Sequence, residues 1–234
     1  MITGQLLRAL YVSAKRGVLK RIFHFMCHGH LFRKYRIRKY LQGKSPRKLQ
    51  IGGGYHTLDG WLNGDLIAGD IYLNATKRFP FPDESVDFIF AEQFIEHGDF
   101  EEGLLCLREC YRVLKNGGNI RLSTPDLEAL CSLYEDQNPD VDLNTAMERH
   151  RTQHNKKLTT ACHFLNDCFR LWDHSFIYDE KTLRIQMEKA DFSNISRHKF
   201  GCSNEKALVA LERHADVEWM KNAWTLILEG TKDK

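Results

Sequence analysis

No aspartate or glutamate occurs in the first 48 residues of this 234-residue chain, although that stretch holds 13 of its 34 lysines and arginines. The rest of the chain sets 21 basic against 31 acidic side chains, so a formal charge of +3 conceals a basic arm on an acidic body. No apolar run approaches the roughly 18–20 residues of a membrane-spanning helix. Arg8, Lys15 and Arg16 interrupt the apolar stretch that a secretory signal would need. The seven cysteines are odd in number and lack paired spacing, which argues against a secreted disulfide scaffold and for a reducing, cytoplasmic setting. Internal repeats and low-complexity segments are absent. So are the G-x-x-x-x-G-K-[ST] loop of nucleotide triphosphatases and the G-x-G-x-x-G fingerprint of dinucleotide folds.

What stands in place of those fingerprints is more informative. Leu49-Gln50-Ile51 is a short apolar strand that runs into Gly52-Gly53-Gly54, and Trp61-Leu62-Asn63-Gly64 is a second strand ending in Asp65. Glycines at that junction let the backbone turn sharply and let a ligand approach it closely. An acid at the tip of the next strand is placed to accept two ribose hydroxyls. Only ten residues separate Gly54 from Asp65, against about 20 in dinucleotide folds. That leaves no room for a full helix whose N-terminus would cradle a pyrophosphate. The pattern therefore describes a nucleoside-containing cofactor without phosphates.

The following residues extend the same architecture. Asp70–Thr76 reads as a third strand with a polar exit, and Val86–Glu92 as a fourth after the stiff loop Phe79-Pro80-Phe81-Pro82-Asp83. Phe100, Leu104, Leu107, Tyr111 and Leu114 recur at helical spacing, with Lys115-Asn116-Gly117-Gly118 as the stop signal. Asn119–Pro125 reads as a fifth strand. At 42% hydrophobic and 28% charged residues the chain can bury one substantial core.

Residues 48–126 resemble the core of a class I S-adenosylmethionine-dependent methyltransferase, close to the type-11 group. The resemblance is carried by Ile51-Gly52-Gly53-Gly54, Gly60-Trp61-Leu62-Asn63-Gly64-Asp65, Phe79-Pro80-Phe81-Pro82-Asp83, Val86-Asp87-Phe88-Ile89 and Arg112-Val113-Leu114-Lys115-Asn116-Gly117-Gly118. Tyr178–Leu183 and Ala190-Asp191-Phe192 are similar to the family's closing helix and its exit. It implies an α/β fold: a Rossmann-like, seven-stranded, mostly parallel sheet with helices on both faces. The last strand, near Trp224–Glu229, would be antiparallel beside a strand near Asn194–Phe200. It also implies S-adenosyl-L-methionine as cofactor, with Gly52, Gly53 and Gly54 under its methionine end and Asp65 on the ribose. Asn74 and Ala75 would meet the adenine, and Glu92 would lie near the methionine and methyl group. Gln50, Gly53 and Asn74 depart from the acid, Cys and Asp that many members carry. An amide still accepts a hydrogen bond from an amino group, so weaker cofactor binding is expected rather than none. Asp191 replaces a glycine after the closing helix, a left-handed position that Asp tolerates.

The organisation expected is a basic amphipathic helical extension over residues 1–47 and the methyltransferase domain over 48–234. In the arm, bulky apolar residues such as Leu6, Leu10, Ile22, Phe23, Phe25 and Phe32 interleave with the cations. That mixture suits an anionic membrane surface, engaged through residues 1–40 from the cytoplasmic side. A structural cap on the domain's own core, or a nucleic-acid contact, would use the same composition; the density of large apolar side chains argues against the latter.

Methyl transfer asks mainly for alignment, so sequence names the cofactor better than the acceptor. The acceptor expected is a sugar, a lipid-linked glycan or another small molecule, methylated on oxygen. Other readings are an RNA methyltransferase that uses the basic arm and a non-catalytic adaptor on the same fold, which Gln50 and Asn74 would favour. A hydroxyl acceptor needs a base. His174, in Trp172-Asp173-His174-Ser175-Phe176, is the candidate, its ring oriented by Asp173 or a neighbour, and His97 after the fourth strand is the second. His150 and His154 have i, i+4 spacing but lack the glutamate of a zinc protease helix, so no metal is expected. Residues 127–177 lie where this fold builds its substrate cover.

Overall fold

A computed structural model describes residues 30–135, 143–154, 160–213 and 224–233. Its centre is a seven-stranded sheet ordered β3-β2-β1-β4-β5-β7-β6. β1 (Lys48–Ile51), β2 (Leu62–Asp65), β3 (Ile71–Tyr72), β4 (Val86–Glu92) and β5 (Leu114–Pro125) pair in parallel. β7 (Thr225–Thr231) inserts antiparallel between β5 and β6 (Ser193–Arg197). The third strand is shorter than its sequence suggests, because Asn74 starts a turn: its Oδ1 accepts from the Thr76 amide and hydroxyl. Strand order reverses between β1 and β4, and ligands of open α/β sheets bind at the carboxyl ends beside such a switch.

Period-two alternation assigns β4 side chains to two different cores. Ile89 and Ala91 join the main cluster, under α1 (His30–Leu41), α2 (Phe100–Val113) and α6 (Glu180–Lys189), with Ile37, Leu107, Leu183 and Met187. Phe90 faces the other way and packs with Leu58, Trp61, Leu208 and Leu211. Each of these fully buried side chains contributes roughly 1.5–3 kcal/mol relative to exposure. In β5 the same alternation sends Ile120 and Leu122 to the main core and Arg121 to the opposite face. There Arg121 is fully buried between Glu212 and Glu229 and also donates to the Cys202 carbonyl.

α2 begins with a reciprocal cap: Asp99 accepts from the Glu102 amide, and the Glu102 carboxylate accepts from the Asp99 amide. Its buried stripe runs deeper than the large apolar residues indicate, through Gly103, Cys106, Leu107, Cys110 and Val113. Cys106 and Cys110 behave as small apolar side chains, and burial pushes the Cys110 thiol far up. Gly103 is required because a Cβ there would sit 2.4 Å from the Tyr178 hydroxyl. The helix stops at Val113 without a glycine cap. Gly117, at φ +78°, instead bends the start of β5, where the strand register shifts. After α6, Asp191 takes the expected left-handed conformation at φ +70°.

A second, smaller core holds α3 (Leu127–Tyr134), α4 (Leu143–His154) and α5 (Ala161–Arg170) together through Leu130, Leu133, Met147, Phe164 and Cys168, with Trp224 at its base. This layer is joined to the sheet where β5 ends. The Asp126 amide donates to the Trp224 carbonyl and the Leu127 amide to the Tyr178 carbonyl. Of the N-terminal arm, α1 lies within the described residues, and it is a structural cap in part: Ile37 is buried and Tyr40 hydrogen-bonds both Lys48 backbone groups. The remainder of the arm, residues 1–29, lies outside the described residues. No described helix is long and apolar enough to cross a membrane.

Candidate active site

The glycine loop is shaped from below. Gln50 is buried at the end of β1 and its Nε2 donates to the His56 carbonyl at 2.9 Å, tying the loop down. A Cβ on Gly53 would lie 2.4 Å from that same Nε2, so the amide excludes any side chain there. Gly52, at φ +70°, is excluded twice over, because the Phe94 ring lies 2.0 Å from where its Cβ would stand. Gly54, at φ +54°, differs: open space lies where its Cβ would point. The backbone there is accessible to a ligand.

β1 and β2 pair with Ile51 opposite Gly64, which brings Asp65 beside the loop. One Asp65 carboxylate oxygen accepts from the Gly54 amide at 3.1 Å, and the other from the Ile67 and Ala68 amides at 2.7 and 3.1 Å. The Asp65 carbonyl accepts from the Leu73 amide at 3.0 Å, which sets Asn74 and Ala75 next in line along the same edge. Gly52, Gly53, Gly54, Asp65, Asn74 and Ala75 therefore line one carboxyl-end edge. Glu92 ends β4 on that edge, yet it is buried and its carboxylate accepts from the Arg213 amide at 2.8 and 3.0 Å. The donor in that contact, far along the chain, carries no sequence signal.

The residues present fit a cofactor with a methionine end. Gln50 Oε1 is buried without a hydrogen-bond partner, an acceptor beneath the loop that suits an ammonium or amide donor. Gly54 offers the approach, and Asp65 offers oxygens at the strand tip.

His97 and His174 meet on the next part of the same edge. His97 closes the short 3₁₀ turn Ile95–His97 after β4, and His174 follows the 3₁₀ turn Leu171–Asp173 after α5. Their rings stand edge to face with centroids 5.1 Å apart. The two turns are clamped by backbone, since the Ser175 and Phe176 amides donate to the Glu96 carbonyl at 2.7 and 3.1 Å. Of the two expected orienting groups, Asp173 or a neighbour, it is a neighbouring carbonyl that contacts the ring. Asp173 is exposed at φ +63°, and His174 Nδ1 lies 2.9 Å from the Cys168 carbonyl. A carbonyl only accepts, so Nδ1 carries the proton and the lone pair of neutral His174 sits on Nε2. Burial holds the His174 pKa below its ordinary value, and a charge on His97 pushes the same way, against the pull of the Cys168 carbonyl. Glu96, fully buried beside His97, accepts from the Thr124 hydroxyl at 2.9 Å.

Sequence reasoning singled out both histidines but not Glu96, Thr124 or Phe94. Glu96 is adjacent to His97, and that adjacency was the only available signal. His150 bonds Asp167 at 3.3 Å within the small core, and the His154 side chain lies outside the described residues. A cavity of about 360 Å³ lined by Ser45, Pro46, Asp87 and Lys115 opens at the amino-terminal ends of β4 and β5, away from this edge.

Comparison with known proteins follows the same division. The methyltransferase domain family matches residues 63–122, from β2 to the middle of β5. Among solved structures, a Thermotoga maritima S-adenosylmethionine-dependent methyltransferase, described as a possible histamine N-methyltransferase, is 15% identical. That alignment covers 97% of this chain and 99% of the other, with a TM-score of 0.49. An Archaeoglobus fulgidus S-adenosylmethionine-dependent methyltransferase is 16% identical over 91% of this chain and 99% of its own, with a TM-score of 0.48. A Haemonchus contortus phosphoethanolamine N-methyltransferase 2, solved with S-adenosyl-L-methionine, is 11% identical over 99% of this chain and 58% of its own, with a TM-score of 0.45. No protein of curated function matches the chain. The strand order defines a Rossmann-like, mostly parallel seven-stranded sheet with one antiparallel strand. With the matched segment, the chain is similar to the class I S-adenosylmethionine-dependent methyltransferases of the type-11 kind.

Proposed function

We propose that this protein transfers a methyl group from S-adenosyl-L-methionine to an oxygen of a sugar, a lipid-linked glycan or another small molecule. The observation that carries the reading is that the Gly54–Asp65 cradle and the His97–His174 pair share one carboxyl-end edge of the sheet. Gly52 to Gly54 would hold the methionine end, Asp65 the ribose hydroxyls, and Asn74 with Ala75 the adenine. When bound, the cofactor supplies an electrophilic methyl group on a sulfonium.

The chain's own part is to hold the acceptor in line and to receive its proton. Aligning two reactants is worth up to about 7–11 kcal/mol of a barrier. His174 is positioned for the proton by the Cys168 carbonyl, which fixes the tautomer that leaves Nε2 basic. Cys168 lies on α5, so the small helical layer orients the base.

Calorimetric titration with S-adenosyl-L-methionine tests the reading, followed by mass analysis of sugar acceptors for a gain of one methyl. Binding without turnover on any acceptor favours the non-catalytic adaptor. Absence of binding removes methyl transfer and leaves the adaptor, which binds a nucleoside or nothing.

A further inference from the structure

We propose that Glu96, His97 and His174 bind one divalent transition-metal cation, and that this cation selects acceptors with two neighbouring oxygens, such as a vicinal diol or a hydroxy acid. One ligand atom from each of these three side chains lies within 4.8 Å of the others. Two imidazoles and one carboxylate are the donor set that suits zinc, cobalt, iron or nickel and is poor for magnesium or calcium. Ligand atoms bound at about 2.0–2.2 Å from one ion stand closer together than this. His97 is the exposed member of the three, so drawing the ligand atoms together is a movement that the metal titration itself tests.

The supporting contacts are those a metal site needs. A metal-ligating histidine donates its other ring N–H to a carbonyl or carboxylate, and a ligating carboxylate is itself hydrogen-bonded. His174 Nδ1 donates to the Cys168 carbonyl at 2.9 Å, which puts the lone pair of the neutral ring on Nε2. Thr124 donates to Glu96 Oε2 at 2.9 Å. The Ser175 and Phe176 amides fasten the His174 turn to the backbone of Glu96 itself, so two ligands from distant segments are held by one carbonyl. Glu96 is fully buried, and a divalent cation offsets the cost of a charged carboxylate there.

Three protein ligands leave open positions on the ion, as in catalytic rather than structural sites. An acceptor would fill two of them with adjacent oxygens. The bound hydroxyl becomes more acidic and gives its proton to solvent. Its oxygen lone pair forms the O–CH₃ bond while the S–CH₃ bonding pair returns to sulfur, leaving the neutral thioether. His174 serves as ligand in this state and as base in the metal-free state, because one lone pair serves one partner at a time. The inference rests on the methyl-transfer reading for its acceptor class, and on the three side chains alone for the ion.

The test uses full-length protein stripped with chelator and dialysed. Cobalt(II) is titrated in and the visible absorption of the bound ion recorded, with zinc binding measured by calorimetry. One ion per chain is expected, with affinity falling at least 10–100-fold in His97→Ala, His174→Ala and Glu96→Gln, the loss that even supporting residues cause. His97 is exposed, so its variant keeps the fold; an unchanged thermal midpoint checks this. Failure of wild-type protein to bind either ion overturns the proposal. So does binding that survives all three substitutions, which would belong to cysteines elsewhere. Binding of S-adenosyl-L-methionine by the stripped protein is measured separately. Cofactor binding without metal binding overturns the ion and leaves methyl transfer standing; metal binding without cofactor binding does the reverse.

Discussion

His174 is oriented by the carbonyl of Cys168 and faces His97 edge to face at 5.1 Å, so a loop histidine owes its tautomer to a helix of the small covering layer. That dependence ties the chemistry of the edge to the packing of α5, where burial raises the Cys168 thiol to about 12.

Replacing His174 with Ala or Asn should lower turnover on a hydroxyl acceptor by about 10²–10⁴-fold, the usual worth of a positioned base. Cofactor affinity should stay nearly constant. Equal losses of affinity and turnover, seen in paired calorimetry and rate measurements, would make His174 a structural residue. A larger loss in His97→Ala would move the role to that side chain.

Asp65→Ala should weaken S-adenosyl-L-methionine binding by about 1.5–3 kcal/mol, the scale for hydrogen bonds to a charged group. The same carboxylate holds the Gly54, Ile67 and Ala68 amides. Asp65→Asn keeps one acceptor oxygen, enough for the Gly54 amide or for the Ile67 and Ala68 amides but not both, so the thermal midpoint is measured beside affinity to separate loop order from ribose contact. Unchanged affinity in both variants removes Asp65 from the site.

Arg121 is a stability residue. Truncation to Ala leaves Glu212 and Glu229 facing each other without the cation, and breaking such a buried network costs about 3–5 kcal/mol. Chemical denaturation should show the loss, and protease should cut the segment 199–213 more readily. A cost below about 1 kcal/mol would mean that water reaches the triad.

Membrane binding by the arm is an expectation that can be tested on either side of α1. Full-length protein should sediment with vesicles containing anionic lipid, and the effect should fade with salt, since screening acts over about 8–10 Å at physiological ionic strength. A truncation lacking residues 1–29 should fold and stay in solution. Removing 1–40 also deletes Ile37 and Tyr40 from the core and should lower the thermal midpoint.

Much of the sheet was legible in the sequence. Apolar runs ending in glycine or acid marked β1, β2 and β4, a glycine stop and a following apolar run marked β5, and spacing marked α2, because these signals lie within a few neighbouring residues; the closing helix came from the family resemblance. The glycine loop was legible for the same reason, although why Gly53 has no side chain is visible only from the Gln50 amide beneath it. The third strand was overread because the Asx turn at Asn74 ends it early. Tertiary structure alone decided that His97 and His174 meet, that the Cys168 carbonyl rather than Asp173 orients His174, and that Glu96 joins them. Local pattern reports which face of an element is buried. Side chains from separate segments converge only after crossovers and backbone clamps have set the two turns against each other, and no short-range periodicity encodes that.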